Sequence, residues 1–329
     1  MDTARGAALL LVLAYHAVFF SESIGLGSGP WKQLVYTLSV VRMPLFFFLS
    51  GTLAVRAIDR EWRTLLTGRI GANLWLYVVW ATLWYAVFSL VPYERAGAPD
   101  GWWRWVTSTF LLPQNAAWYL LGLAAFTALA RAVRGVRTGV VLTVAAGVSA
   151  VAGTGVVHQH SFVWSNLLSL FVFFAAGSRW AVRTPRLTAR VSRPGLAVPL
   201  ATAVVLVAFV AKEAGAYPFP GVQLLLGAGG VLAGLAVCGW IAASAPGRAL
   251  AALGSRTLGV YLLHEIVLGV LVLAFTGLDG TALDRVARWV LPVVLVAATL
   301  LVAVPSARLL RAVPGALVAP WQRPRPAAA

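Results

Sequence analysis

Apolar segments long enough to cross a lipid bilayer recur along the whole chain. Each covers about 16 to 24 residues, and a helix needs about 20 residues to cross the hydrocarbon core. The segments are apolar on all sides rather than along one stripe, which is typical of helices that face lipid. They predict ten spans, at 6–20, 33–55, 72–91, 116–131, 138–157, 162–179, 196–212, 220–243, 257–276 and 289–309. We therefore expect an all-α, polytopic membrane protein of about ten transmembrane helices.

The composition excludes a soluble domain of this length. The 329 residues are 60% hydrophobic and 11% charged, whereas about a quarter of the residues of a soluble domain are charged. The net charge is +16, but the basic residues are scattered between apolar segments, so no nucleic acid is expected as a partner. The single cysteine, Cys238, excludes a disulfide within the chain and a cluster of metal-binding thiolates.

The distribution of basic residues predicts how the chain is oriented in the membrane. If ten spans alternate in direction, nineteen arginines fall on the side of the N-terminus and six basic residues fall on the other side. Loops rich in Lys and Arg stay in the cytoplasm, so we expect both termini to be cytoplasmic and the protein to lie in the cell membrane. The sequence predicts one membrane domain over 1–312, followed by a disordered cytoplasmic tail over 313–329.

Two polar side chains lie deep within the first two predicted spans. His16 follows Arg5 by eleven residues, which places it about 16 Å along a helix. Arg42 lies about ten residues into the next span, which runs in the opposite direction, so both side chains are expected at a similar depth. A charged residue at the bilayer centre costs at least ~2.5–3.5 kcal/mol unless it is partnered. Arg42 would also favour a neutral His16, as a general base requires.

Other polar and aromatic residues leave two interpretations open. His264 and Glu265 form a second polar pair in the ninth span, but adjacent helical residues point about 100° apart, so a structural role and a catalytic role are both compatible with the pattern. Trp118 and Tyr119 stand at the mouth of the fourth span, where they can stack on a sugar ring or belong to an interfacial aromatic belt.

The sequence gives little support for a metal site. His158 and His160 lie in a short predicted loop, and their spacing favours solvated loop histidines over metal ligands. No nucleophile elbow, phosphate-binding loop or metal-ligand cluster occurs in the sequence. We therefore expect no metal cofactor.

Four short motifs occur in a fixed order along the chain. Arg5 and His16 stand on the first predicted helix, and residues 42–51 (RMPLFFFLSG) on the second. They are followed by residues 118–121 (WYLL) and 254–264 (GSRTLGVYLLH). This ordered set resembles the acyltransferase-3 family of membrane O-acyltransferases over residues 2 to about 310. It is closest to the fucose 4-O-acetylase-like branch, in which the residue before Met-Pro is often His rather than the Arg42 found here.

The resemblance implies a donor side and an acceptor side. Members of the family are thought to take an acyl group from cytoplasmic acyl-CoA, here most simply acetyl-CoA, and to transfer it to a hydroxyl of a carbohydrate. His16 would act in the transfer, with Arg5 supporting it. The family carries a paired arginine motif for the donor at the start of its third helix; here only Arg69 is in that place, while Arg60 and Arg63 come earlier. These three arginines are expected to hold the coenzyme phosphates, or else to contact anionic lipid.

These assignments give one chemical hypothesis and one rival. His16 would deprotonate the acceptor hydroxyl as a general base, or form a covalent acyl-histidine, and Arg42 or Ser50 would stabilise the oxyanion. The residues then expected to bind substrate are Ser50, Trp118, Tyr119 and His264. The rival is a transporter or flippase for a glycan or lipid-linked sugar, in which the buried His and Arg form a translocation path.

Overall fold

The computed structural model describes residues 1–90, 101–156, 161–277 and 284–322. These residues form α-helices joined by short turns, and no β-strand occurs among them. The α-helices are α1 (Asp2–Ser23), α2 (Pro30–Thr37), α3 (Ser39–Ile58), α4 (Trp62–Leu65), α5 (Gly71–Leu90), α6 (Trp102–Val106), α7 (Trp118–Ala132), α8 (Thr138–Ala152), α9 (Phe162–Arg179), α10 (Thr184–Val191), α11 (Pro194–Glu213), α12 (Val222–Trp240), α13 (Ala245–Gly254), α14 (Thr257–Val272) and α15 (Asp284–Leu309).

Eight helical segments of the described chain are long and apolar enough to cross a membrane. They are Asp2–Ser23, Pro30–Ile58, Trp62–Leu90, Phe162–Arg179, Pro194–Glu213, Val222–Trp240, Thr257–Phe275 and Arg285–Ala312. Two shorter apolar helices, α7 and α8, have 15 residues each and coincide with the remaining two predicted spans. The predicted all-α, polytopic membrane architecture is confirmed. The count of ten crossings and the cytoplasmic position of the termini stay predictions.

Glycines bring the central helices into close contact. A Cβ atom at Gly51 of α3 would meet the backbone carbonyl of Phe174 on α9, and one at Gly177 of α9 would meet the carbonyl of Phe48 on α3. Helices in a membrane pack closely where small residues let the backbones approach. This reciprocal pair fixes α3 against α9, and both helices contribute to the cavity described below.

A kink divides the third predicted span. Gly68 has φ −90° and ψ −107°, which is not helical, so the chain bends between α4 and α5. A bend frees backbone carbonyls that need other hydrogen-bond donors in a membrane. The indole of Trp321 donates to the carbonyl of Thr67 at 2.7 Å, and the amide of Gln322 donates to the carbonyl of Gly68 at 3.2 Å.

The C-terminal segment departs from the disorder predicted for 313–329. Besides the contacts to the kink, the indoles of Trp75 and Trp80 on α5 donate to the carbonyls of Gly315 at 2.9 Å and Ala316 at 2.8 Å. Residues 313–322 are therefore packed against α5. Their Pro- and Gly-containing sequence resembles a disordered tail, but their carbonyls satisfy buried indole N–H groups. The remainder of that tail, 323–329, lies outside the described residues.

Candidate active site

A cavity of about 610 Å³ lies among α1, α3, α8, α9, α12 and α14, which is within the size range of small-molecule sites. Among the described residues that line it, three can carry a charge near neutral pH: His16 from α1, Arg42 from α3 and Glu265 from α14. Helices α1 and α3 thus place His16 and Arg42 at the same cavity. Glu265 reaches it from a helix more than 200 residues away along the chain.

Two backbone carbonyls define the protonation of the His16 ring. His16 Nδ1 lies 2.9 Å from the carbonyl oxygen of Val12, so this nitrogen carries the proton and donates. His264 Nδ1 likewise donates to the carbonyl of Tyr261, which leaves His264 Nε2 as an acceptor at 3.3 Å from His16 Nδ1. Both acceptors hold the His16 proton on Nδ1, and Nε2 is therefore the nitrogen that can take up a proton.

The aromatic ring of Tyr15 stabilises the charge of Arg42. The guanidinium carbon of Arg42 lies 3.9 Å from the centre of the Tyr15 ring, a cation–π contact worth about 2 kcal/mol or more when desolvated. Arg42 Nη1 is buried and has no hydrogen-bond partner within the described chain. A guanidinium N–H group that lies beside a cavity and has no protein acceptor can donate a hydrogen bond to an oxygen atom of a ligand.

His264 and Glu265 point to different places, as neighbours on a helix must. His264 is fully buried, packs its ring against that of His16 with 4.8 Å between centroids, and does not line the cavity. Glu265 lines the cavity, and its Oε2 accepts the backbone N–H of Ala116 at 2.6 Å. His264 therefore contacts His16 directly, and its predicted contact with substrate stays a prediction. Glu265 was not among the predicted site residues, although an acidic residue within a span was the signal for it.

Ser50 and Tyr119 lie outside the cavity lining. The Tyr119 hydroxyl and Ser50 Oγ share a hydrogen bond, and Ser50 Oγ also donates to the carbonyl of Phe46 at 2.8 Å. The Ser50 hydroxyl is thus bound to these two groups between α3 and α7, and its predicted role at the reacting centre stays a prediction. The ring of Tyr119 lies 5.3 Å from that of Tyr261, and the ring of Tyr261 lies 5.3 Å from that of His264.

This row of rings connects His16 with the arginines of the predicted donor side. The guanidinium groups of Arg69 and Arg5 are within electrostatic reach of the Tyr119 hydroxyl. Arg5 forms an ion pair with Asp2 at 3.2 Å and is 30% exposed, so it stands at the start of α1 rather than at the cavity. Tyr119 therefore occupies the interior between Arg5 and Arg69 on one side and the histidine pair on the other.

The three arginines predicted to bind the coenzyme differ in burial. Arg60 and Arg63 are exposed. Arg69 is half-buried just after the Gly68 kink, donates from Nη1 to the carbonyl of Leu53 at 3.2 Å, and has a buried Nε without a partner within the described residues. The kink thus turns Arg69 toward the protein interior and leaves the other two facing outward.

Trp118 is the last of the predicted site residues, and Tyr217, which was not predicted, joins it at the cavity. Trp118 lines the cavity and packs edge-on against Phe162, with 6.3 Å between ring centres. Tyr217, in the loop before α12, also lines it; burial raises the pKa of its hydroxyl, which therefore stays protonated. His158 and His160 lie outside the described residues.

Comparison with known protein families assigns the chain. The model of a family described as an acyltransferase domain, acyltransferase-3, matches residues 1–308. The chain belongs to the acyltransferase-3 family. Neither a curated protein nor a solved structure matches it. Membership of the acyltransferase-3 family, together with the apolar helices, makes the protein a membrane acyltransferase. The nearer likeness to the fucose 4-O-acetylase-like branch stays a resemblance.

Proposed function

We propose that this acyltransferase-3 protein is an O-acetyltransferase of the cell membrane. It takes the acetyl group from cytoplasmic acetyl-CoA and transfers it to a hydroxyl of a carbohydrate acceptor bound in the cavity. One observation carries the proposal: His16 lines the cavity, and Val12 and His264 both hold its ring proton on Nδ1, so a proton from the acceptor would be taken up at Nε2. Arg42 lines the same cavity with an unpartnered buried donor.

The reaction begins when the acceptor hydroxyl binds beside His16. Nε2 removes the hydroxyl proton while the oxygen attacks the carbonyl carbon of the thioester, forming the new C–O bond. The imidazolium that results donates from Nδ1 to the carbonyl of Val12 and to Nε2 of His264, which stabilises it. A general base in this position contributes about 10²- to 10⁴-fold to the rate.

The tetrahedral intermediate carries a negative oxygen that needs a donor. Arg42 Nη1 is buried at the cavity, and a donor positioned in a dry site is worth ~3–4 kcal/mol. When the intermediate collapses, the C–S bond breaks and the coenzyme thiolate takes the proton from His16 Nε2. The products are the acetyl ester and free coenzyme A, and His16 returns to its neutral form.

The donor side is assigned from burial and charge. Coenzyme A is polyanionic, and Arg69 is the member of the predicted set that turns inward. We assign the coenzyme phosphates to Arg69 and Arg5, which lie on the side of Tyr119 away from the histidine pair. Arg60 and Arg63 then contribute only a diffuse attraction, because they face solvent or lipid headgroups.

Label transfer tests the proposed function and separates it from transport. Membranes that contain the protein, and matched membranes without it, are incubated with acetyl-CoA labelled in the acetyl group. We expect protein-dependent label in base-labile esters of the glycan fraction and an equal amount of coenzyme A released. A transporter would move a labelled glycan across sealed vesicles without releasing coenzyme A. That result would contradict the proposal.

A further inference from the structure

The part of the cavity lining that α8, α9 and α12 provide is polar but uncharged. Four residues form this surface, here called the polar wall: Ser149 of α8, Asn166 and Ser169 of α9, and Gln223 of α12. The three charged or basic lining residues come instead from α1, α3 and α14. Of these, Arg42 and Glu265 carry opposite charges. The described lining as a whole therefore has little net charge when His16 is neutral.

The polar wall has already used most of its hydrogen-bond donors. Ser149 Oγ donates to the carbonyl of Ser169 at 2.8 Å, and Ser169 Oγ donates to the carbonyl of Ser165 at 2.9 Å. The Gln223 amide nitrogen donates to the carbonyls of Gly153 at 2.8 Å and Tyr217 at 3.3 Å. What these side chains still offer to a ligand is the lone pairs of their oxygens.

Two asparagine side chains at the cavity carry amide groups that are not fully hydrogen-bonded. Asn166 is half-buried, and its side-chain amide forms no hydrogen bond with any described residue. Asn115, which precedes α7 and also lines the cavity, is 3% exposed, and its Oδ1 has no partner within the described chain. Buried amide oxygens are paired in most proteins, so an unpaired one beside a cavity points to a ligand donor or water.

We propose that the polar wall and Asn115 form the acceptor subsite and select a neutral, polyhydroxylated ligand, such as an uncharged glycoside. The proposal rests on the proposed function and specifies its acceptor. Hydroxyl groups supply the donors that this surface accepts, and Trp118 gives an aromatic face beside it. A carboxylate or phosphate brings only acceptors; the polar wall could offer it the amide N–H groups of Asn166 but no cation to balance the charge that loses its water.

A panel of acceptors tests the charge preference. The purified protein is supplied with labelled acetyl-CoA and with methyl glycosides of neutral hexoses and deoxyhexoses, or the matched hexuronic acids and hexose phosphates. We expect the best neutral glycoside to give at least tenfold more labelled ester and coenzyme A release than any anionic one. An anionic sugar used as well as or better than every neutral one would overturn the proposal.

One substitution tests the polar wall itself. Asn166→Asp adds a carboxylate at the same size, so we expect kcat/KM for the neutral glycoside to fall at least tenfold through KM. Use of the matched cationic amino-glycoside should rise at least fivefold relative to wild type. Ser255→Asp is the control, because it adds a carboxylate at an exposed position outside the cavity, where the Ser255 hydroxyl donates only to the carbonyl of Ala252. Unchanged acceptor preference in Asn166→Asp would overturn the proposal.

The test distinguishes the acceptor subsite from the proposed function. If acetyl-CoA is hydrolysed in a protein-dependent way but no neutral glycoside accelerates coenzyme A release, the subsite proposal fails and the acyltransferase proposal stands. If neither hydrolysis nor transfer occurs, and labelled acetyl-CoA does not bind the purified protein, the proposed function itself fails.

Discussion

Replacing His264 by Phe isolates the effect of holding the His16 ring. A phenyl ring keeps the ring contacts to His16 and Tyr261, whose centroids lie 4.8 and 5.3 Å from that of His264. The substitution removes one acceptor, His264 Nε2, from the His16 Nδ1–H group and leaves the carbonyl of Val12 at 2.9 Å. His16 then keeps one of the two contacts that fix its basic nitrogen.

The lost contact sets the size of the effect. A typical hydrogen bond contributes about 0.5–1.5 kcal/mol, which converts to a twofold to twelvefold fall in kcat. KM for acetyl-CoA should change little, since His264 is buried away from the cavity. His264→Gln offers an amide oxygen as a replacement acceptor, so we expect it to recover part of the rate.

Initial rates of label transfer, measured over a range of acetyl-CoA concentrations, give kcat and KM separately for each variant. A wild-type kcat in His264→Phe would refute the positioning role. A complete loss in folded protein would also refute it, because it would make His264 as essential as the base itself.

Three further changes follow from the site and the packing. Arg42→Gln should lower kcat about 10²- to 10³-fold with little change in acetyl-CoA binding, since one oxyanion donor is lost; equal kcat would exclude this role. Gly177→Ala should cost about 1–3 kcal/mol of stability, seen as a lower melting temperature in detergent, because its Cβ meets a backbone carbonyl of α3. Gly147→Ala, at a position with open space, is the matched control and should be neutral or stabilising. Arg69→Ala should raise KM for acetyl-CoA at least tenfold and the exposed Arg60→Ala less than threefold, and equal effects would contradict the assignment of the donor side.

The long helices are predictable from the sequence because lipid imposes a length and a uniform polarity on each span. The helices α10 and α13 have neither the length nor the uniform apolar character of a span, because they have 8 and 10 residues and lie between spans. The packing of 313–322 could not be predicted from the sequence either, since it depends on the indole N–H groups of Trp75 and Trp80, which lie more than 200 residues earlier in the chain. Only the three-dimensional structure brings such distant donors and acceptors together.

The site residues that could be predicted from the sequence are those whose polar side chains cost free energy inside a lipid bilayer. His16 and Arg42 stand out for that reason, and the antiparallel arrangement of the first two spans predicts that they lie at one depth. Ser50 carries no such signal, because a serine inside a membrane helix can satisfy itself on a carbonyl of its own helix, as it does on Phe46. Asn166 and Gln223 come from separate helices, so their common position at the cavity follows only from the packing.

The central claim is that His16 Nε2 acts as the base in acyl transfer. The most direct test is the rate of labelled ester formation by purified wild-type protein and by His16→Ala, with the melting temperature of each measured in the same detergent. We expect His16→Ala to bind acetyl-CoA, to remain folded, and to lose about 10²- to 10⁴-fold in kcat. A folded His16→Ala protein that transfers acetyl groups at the wild-type rate would contradict the account.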